Sequence, residues 1–226
     1  MIDHEKDICN IFDLYVSDVC VCAAEGTGAC MNLQKLADDT GWRIITPDGF
    51  YDSWYMDNAD TAGMQWRTSF WKELWPVLDE KYGLKPDKTY ITGLSMGGHG
   101  AVNVFLDHPE RFAGAGSMSG VLDLSHSYSQ KLICSILNKE DILDCAPFAT
   151  VSRLGDVDSS LLQGKKLVVT CGYDDEPLYV NSPNAFAGRC RELGIRHILI
   201  LSPGVHNWDY WSRAVRQHIH NFSEGY

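Results

Sequence analysis

The sequence predicts an α/β protein built on a mostly parallel sheet with helices on both faces. Three observations carry this. Short apolar runs alternate with segments of helical periodicity. The runs are bounded by turn-forming residues. One run leads through Gly93-Leu94-Ser95-Met96-Gly97 straight into a helix-compatible stretch.

The strands are expected at 19–23, 43–46, 89–92, 113–117, 167–171 and 197–201. Between them, 68–82 places Phe70, Leu74, Val77, Leu78 and Tyr82 at helical spacing, with Pro76 as a kink. Ser182-Pro183 reads as an N-cap and first helical residue, and Gly194 as that helix's end. The C-terminal stretch sets Trp208, Trp211, Val215, Ile219 and Phe222 on one face, so it should pack on the sheet. Residues 121–164 carry no clear strand and read either as an insert over the C-terminal strand ends, where ligands bind, or as a helical crossover. A chain of 226 residues suits one domain over 1–226.

Composition narrows the function. With 19 Lys+Arg against 30 Asp+Glu, the net charge of −11 argues against nucleic acid or an anionic membrane as partner. No run of about 18 apolar residues suits a membrane span. The opening residues lack the apolar core of a secretory signal, so a cytoplasmic location is expected, or a secreted one if the N-terminus is incomplete. Eight cysteines show neither C-x-x-C pairs nor zinc-ligand spacing, and no cofactor or metal is implied. They are expected to be reduced; in an oxidising compartment Cys134 and Cys145 would be candidates to pair.

The chemistry concentrates at Ser95. In G-x-S-x-G a serine sits on a tight strand-to-helix turn, where Gly93 and Gly97 allow the close approach of residues on either side. The turn exposes the hydroxyl at a helix start, and the Met96 N–H is aimed at a carbonyl oxygen under attack. A serine nucleophile needs a histidine base and an orienting carboxylate. The loop after 197–201 offers His206, and the loop after 167–171 offers Asp174, Asp175 and Glu176. Spacing alone does not choose among these acids. The other histidines lie in strands, on helices or outside any motif.

These residues carry a family resemblance. Ile45-Thr46-Pro47-Asp48-Gly49, Ser53-Trp54-Tyr55-Met56-Asp57 and Gly93-Leu94-Ser95-Met96-Gly97-Gly98 form its first half. His108-Pro109-Glu110-Arg111-Phe112, Ser117-Met118-Ser119-Gly120 and Pro203-Gly204-Val205-His206 complete it. Together they resemble the esterase D-like serine esterases of the α/β-hydrolase superfamily, which include tributyrin-type, feruloyl and acetyl-xylan esterases, S-formylglutathione hydrolases and mycolyltransferases. The resemblance implies an α/β-hydrolase fold and selects Asp175, three residues after Gly172, as the acid. It also implies that Thr27 gives a second oxyanion N–H beside Met96, although Glu25-Gly26 stands where relatives carry His-Gly and the N-terminal region is short. Trp54 and Trp208 fall in loops near the site and are candidates to line an aryl or sugar pocket.

The expected function is a serine carboxylesterase acting on short-chain or aryl acyl esters, free or saccharide-linked, through an acyl-enzyme on Ser95. Its rivals are an acyltransferase on the same scaffold and a catalytically weak binding relative. A homo-oligomer remains an option.

Overall fold

The computed structural model describes residues 19–23 (as backbone), 31–50, 53–124 and 130–224. Their core is a six-stranded sheet in the order β2-β1-β3-β4-β5-β6, parallel at every pairing. The strands are β1 (Val19–Ala23), β2 (Arg43–Ile45), β3 (Thr89–Leu94), β4 (Gly114–Met118), β5 (Lys166–Gly172) and β6 (Ile198–Ser202). All six expected strands are present, within one or two residues of the expected ends. β3 runs on to Leu94 because the ladder continues there, pairing Leu94 with Met118.

Alternation along the buried strands feeds two apolar layers. On one face Ile91, Ala115, Leu167 and Val169 pack against helices that contribute Phe70, Trp75, Val102, Phe105 and Phe186. Phe70 lies between α2 (Trp66–Ser69) and α3 (Trp75–Tyr82), which carries Trp75; Val102 and Phe105 are on α4 (Met96–Asp107), and Phe186 is on the helix after β5, Pro177–Glu192. On the other face Ile44, Tyr90, Leu94, Met118 and Val168 meet Leu36 and Ala37 of the first helix, α1 (Leu33–Thr40). The last helix, Trp208–Ser223, adds Val215, Ile219 and Phe222 to that layer. Its buried side is the expected one, extended by Tyr210, Ala214 and His218.

His218 enters the core because Gly116 leaves room for it: a Cβ there would collide with the imidazole. The ring bridges Thr92 Oγ1 of β3 (2.7 Å) and Thr170 Oγ1 of β5 (3.1 Å). Burial pushes its pKa down to about 3, so it is a neutral core strut.

The expected kink at Pro76 takes a particular form. A π turn, Phe70–Leu74, joins α2 to α3, and Pro76 lies in the first turn of α3, where its missing N–H costs least. The described residues between β4 and β5 include α5 (Gln130–Ile136), α6 (Thr150–Arg153) and α7 (Ser159–Leu162).

Two expectations are corrected. The helix after β5, α8, starts at Pro177, not at Ser182-Pro183. Pro177 is a good first residue, and Glu176 before it has the extended φ/ψ of −59°/145° that a following proline favours. The Ser182 hydroxyl caps no helix. It accepts the Leu122 and Asp123 N–H groups (3.0 and 3.1 Å), fixing the chain after β4. Pro183 deprives the Tyr179 carbonyl of its helical donor, and the Cys171 thiol donates there instead at 3.4 Å.

The second correction concerns redox state. Cys134 and Cys145 form a disulfide, whereas Cys171 and Cys190 are free and buried. The pairing arises because α5 turns back through a short turn, Ile142–Asp144, that brings Cys145 beside it. Cys9 and Cys30 lie outside the described residues. Among those residues, no helix is long and apolar enough to cross a membrane. The final helix, Trp208–Ser223, is α9.

Candidate active site

Ser95 sits between β3 and α4 with φ 50° and ψ −121°, outside the regions a non-glycine residue adopts freely. The glycines around it make this turn accessible. A Cβ on Gly93 would overlap the Gly97 carbonyl, and one on Gly98 would run into Ser117 Oγ. The Ser95 N–H is tied to the Met118 carbonyl at 2.9 Å, so the elbow is fastened to the neighbouring strand. Met96 is the first residue of α4, where an N–H has no acceptor within its own helix.

The far end of α4 is also anchored. Asp107 accepts from Arg67 Nε (2.6 Å), Arg153 Nη2 (2.7 Å) and Trp71 Nε1 (3.1 Å). Arg153 also reaches Asn103 Oδ1 at 2.6 Å. This network clamps the elbow helix to α2 and α6.

The loops after β5 and β6 are pressed together by glycine. A Cβ on Gly172 would strike the Gly204 carbonyl, and Gly204 has φ 149°. Tyr173 and Asp174 donate their N–H groups to the Ser202 and Gly204 carbonyls (3.0 and 3.1 Å). Asp174 is exposed, and one of its carboxylate oxygens lies 3.4 Å from the Gly204 N–H. Asp175 turns inward instead. Its Oδ1 accepts the Glu176 N–H at 2.8 Å, and its Oδ2 lies 3.1 Å from His206 Nδ1. On the other side of the ring, His206 Nε2 is 2.9 Å from Ser95 Oγ.

The chain Asp175–His206–Ser95 is therefore continuous. Nδ1 carries the proton given to the carboxylate, leaving Nε2 as the acceptor facing the serine. Burial lowers the His206 pKa, partly offset by the Asp175 hydrogen bond and charge and by the Glu176 charge. The lowered pKa favours the neutral imidazole.

Of the other expected residues, Trp54 is a core side chain, 6% exposed, edge-on to His99 and packed with Met56, Val121, Leu124 and Ile133. It lies in a loop, as expected, but its ring is packed into this buried cluster and does not line an open pocket. Trp208 is half-buried and packs edge-on against Trp211. Thr27, with Glu25 and Gly26, lies outside the described residues. The remaining described histidines have local partners or surface positions: His99 faces the Val121 carbonyl and is pushed down to about 3 by burial, and His108 pairs with Glu110. Among the described residues, no group of three or more His, Cys, Asp and Glu could hold a metal ion.

Two neighbours of His206 escaped the sequence reading. The Tyr179 ring stacks on the imidazole, centroids 3.7 Å apart and planes 22° apart, and Trp211 meets it edge-on at 4.8 Å. Helical position alone marks neither residue. The contact exists only when α8, α9 and the β6 loop converge.

Comparison with known proteins gives the chain its family and fold class. Diacylglycerol acyltransferase/mycolyltransferase Ag85A of Mycobacterium tuberculosis is 35% identical over 103 residues, covering 42% of this chain and 30% of that protein. Ag85A of Mycobacterium leprae is 36% identical over 101 residues, 42% of this chain and 31% of the relative. The chain therefore spans under a third of the length of these curated relatives. Among solved structures, a ferulic acid esterase superposes with TM-score 0.71 at 21% identity, covering 90% of this chain and 84% of that one. MPT51 (FbpC1) of Mycobacterium tuberculosis superposes with TM-score 0.74 at 18% identity, covering 90% and 88%. The S-formylglutathione hydrolase FrmB of Staphylococcus aureus gives 0.67 at 22%, covering 91% and 80%. The solved structures bear out the α/β-hydrolase fold class. The family model Esterase, described as "Putative esterase", matches residues 44–221, most of the chain, and the chain belongs to that family.

Proposed function

We propose that the chain is a serine carboxylesterase in which Ser95 is the nucleophile, His206 the base and Asp175 its orienting acid. Family membership supports ester hydrolysis or acyl transfer as the reaction class. The observation that carries the finer reading is the unbroken contact from Asp175 through His206 to Ser95, at 3.1 and 2.9 Å.

The steps follow from this geometry. His206 Nε2 takes the Ser95 proton as Oγ bonds to the ester carbonyl carbon. The oxyanion is held by the Met96 N–H at the start of α4, with Thr27 proposed as the second donor. The intermediate collapses, the ester C–O bond breaks, and His206 returns its proton to the departing alcohol. Water then attacks the acyl-enzyme with His206 again as base, releasing the acid and restoring Ser95.

Short-chain and aryl acyl esters are the proposed substrates. The fold likeness to a ferulic acid esterase and an S-formylglutathione hydrolase is compatible with small acyl groups. A second reading, acyl transfer to an alcohol, is favoured by the sequence match to Ag85A, a mycolyltransferase. The two differ only in the second nucleophile. The test is labelling by a fluorophosphonate probe together with turnover of p-nitrophenyl acetate and methyl ferulate. Wild type labels and turns over, and Ser95→Ala does neither. Residual turnover in a pure Ser95→Ala preparation overturns the assignment, and ester product from an added alcohol at the expense of free acid selects transfer.

A further inference from the structure

The Asp175 turn runs directly into α8, so one short segment supplies both the carboxylate at His206 Nδ1 and, four residues on, the Tyr179 ring against its face. Tyr179 is held from several sides. Its N–H bonds to the Glu176 carbonyl at 2.9 Å, and its own carbonyl, orphaned by Pro183, takes the Cys171 thiol. Its ring packs on the cluster of Trp54, Leu124 and Ile133, which Met96 also joins. The edge of Trp211, a buried α9 residue, closes on the imidazole as well.

We propose that Tyr179 is a positioning residue for His206: its face fixes the imidazole in the plane that reaches both Ser95 and Asp175, and its π electrons stabilise the imidazolium formed when Ser95 attacks. This rests on the catalytic reading of Ser95 and His206. The physical basis is the stack itself. A cation over an aromatic face gains most when water is kept away, and the imidazole is largely covered here. A ring pinned face-on also loses the rotation that would break one of its two hydrogen bonds. The charged groups around His206 are Asp175 and Glu176, with the Cys171 thiol behind Asp175 and the neutral Ser95 opposite. None of these changes when Tyr179 is replaced.

The test separates the π face from simple burial. Tyr179→Phe keeps the stacked ring, whereas Tyr179→Leu keeps apolar cover but removes the π face. Tyr179→Met substitutes for Tyr179→Leu if that variant does not fold. Two readouts are taken on the full chain: kcat and KM for p-nitrophenyl acetate, and the His206 ring pKa by ¹⁵N NMR. For Tyr179→Leu, kcat is expected to fall roughly tenfold with KM within about twofold, and the ring pKa to fall by about 0.5–1 unit. Tyr179→Phe stays within about twofold of wild type in both. A Tyr179→Leu pKa that is unchanged or raised overturns the proposal, as does a loss confined to KM, which would make Tyr179 a substrate wall. The ring pKa is also read in a Ser95→Ala background. There it tests Tyr179 even if Ser95 proves not to be the nucleophile.

Discussion

Asp175→Asn is the sharpest perturbation of the proposed site, because the structure dictates how the new amide must point. Asp175 has two hydrogen-bonding duties: Oδ1 receives the Glu176 N–H at 2.8 Å, and Oδ2 faces His206 Nδ1 at 3.1 Å. Asparagine has one oxygen for these two donors. The Glu176 N–H belongs to the backbone and cannot become an acceptor, whereas imidazole can change tautomer. The amide oxygen therefore stays with Glu176, and the NH₂ turns to His206 Nδ1, which must lose its proton. The proton moves to Nε2 and points at Ser95, so the base can no longer accept. A tautomer fault of this kind lowers turnover by about 10⁴ in serine triads, or roughly 5 kcal/mol of transition-state stabilisation. Volume and burial are almost unchanged, so the fold should survive. The assay is kcat/KM for p-nitrophenyl acetate alongside the fluorophosphonate labelling rate, with Asp174→Asn as the neighbour control, expected within about threefold of wild type. Retention of more than a tenth of wild-type activity in Asp175→Asn would refute the argument, and a large loss in Asp174→Asn would move the acid to the adjacent position.

Two further outcomes concern stability. His99 and His218 are both held neutral, each pushed from 6.5 down to about 3, so the unfolded chain binds protons that the folded chain does not. The stabilisation is complete above about pH 6.5 and is lost as pH falls towards 3. At pH 5 the two together should cost about 4 kcal/mol relative to pH 7. Denaturant unfolding at a series of pH values checks this, and His218→Gln should about halve the slope; a flat profile from pH 7 to 5 would refute it. The Cys134–Cys145 disulfide spans 11 residues, so its reduction or the double change to serine should lower stability by about 2–3 kcal/mol, read as a shift in urea midpoint between oxidised and reduced protein.

Much of the fold was legible because its strands are short apolar runs closed by turn residues. What escaped was set by distant partners. Ser182-Pro183 has the local chemistry of a helix start. Yet Ser182 is needed by the N–H groups of Leu122 and Asp123, 60 and 59 residues away, and Pro177 begins the helix instead. The disulfide was half legible: Cys134 and Cys145 were the candidate pair, but the reduced state was the expected one. Their pairing depends on a turn with no strong sequence signature, and the lack of a secretory signal in the opening residues favoured the reduced state. The His218 strut was also hidden, since a histidine on an amphipathic helix gives no sign of a glycine waiting beneath it in β4.

At the site, legibility followed the range of the interaction. Ser95 was readable because its strain is local: Gly93 and Gly97 lie within two residues, and their need for close approach is written in the motif. His206 was readable from its place just beyond a strand. Asp175 was not separable from Asp174 or Glu176 by spacing, and only the family resemblance chose it. Its selection in the structure comes from the Gly172–Gly204 contact, which locks Tyr173 and Asp174 to the β6 loop and turns the next carboxylate inward. Tyr179 and Trp211 lay furthest from view, because their value depends on three elements meeting around one imidazole. This ordering has a physical cause. Backbone strain must be solved by the residues that bear it, so it leaves a local pattern. The electrostatic setting of a base can be supplied from anywhere in the chain, so it leaves none. The parts of this site that tune its chemistry are therefore the parts its sequence conceals.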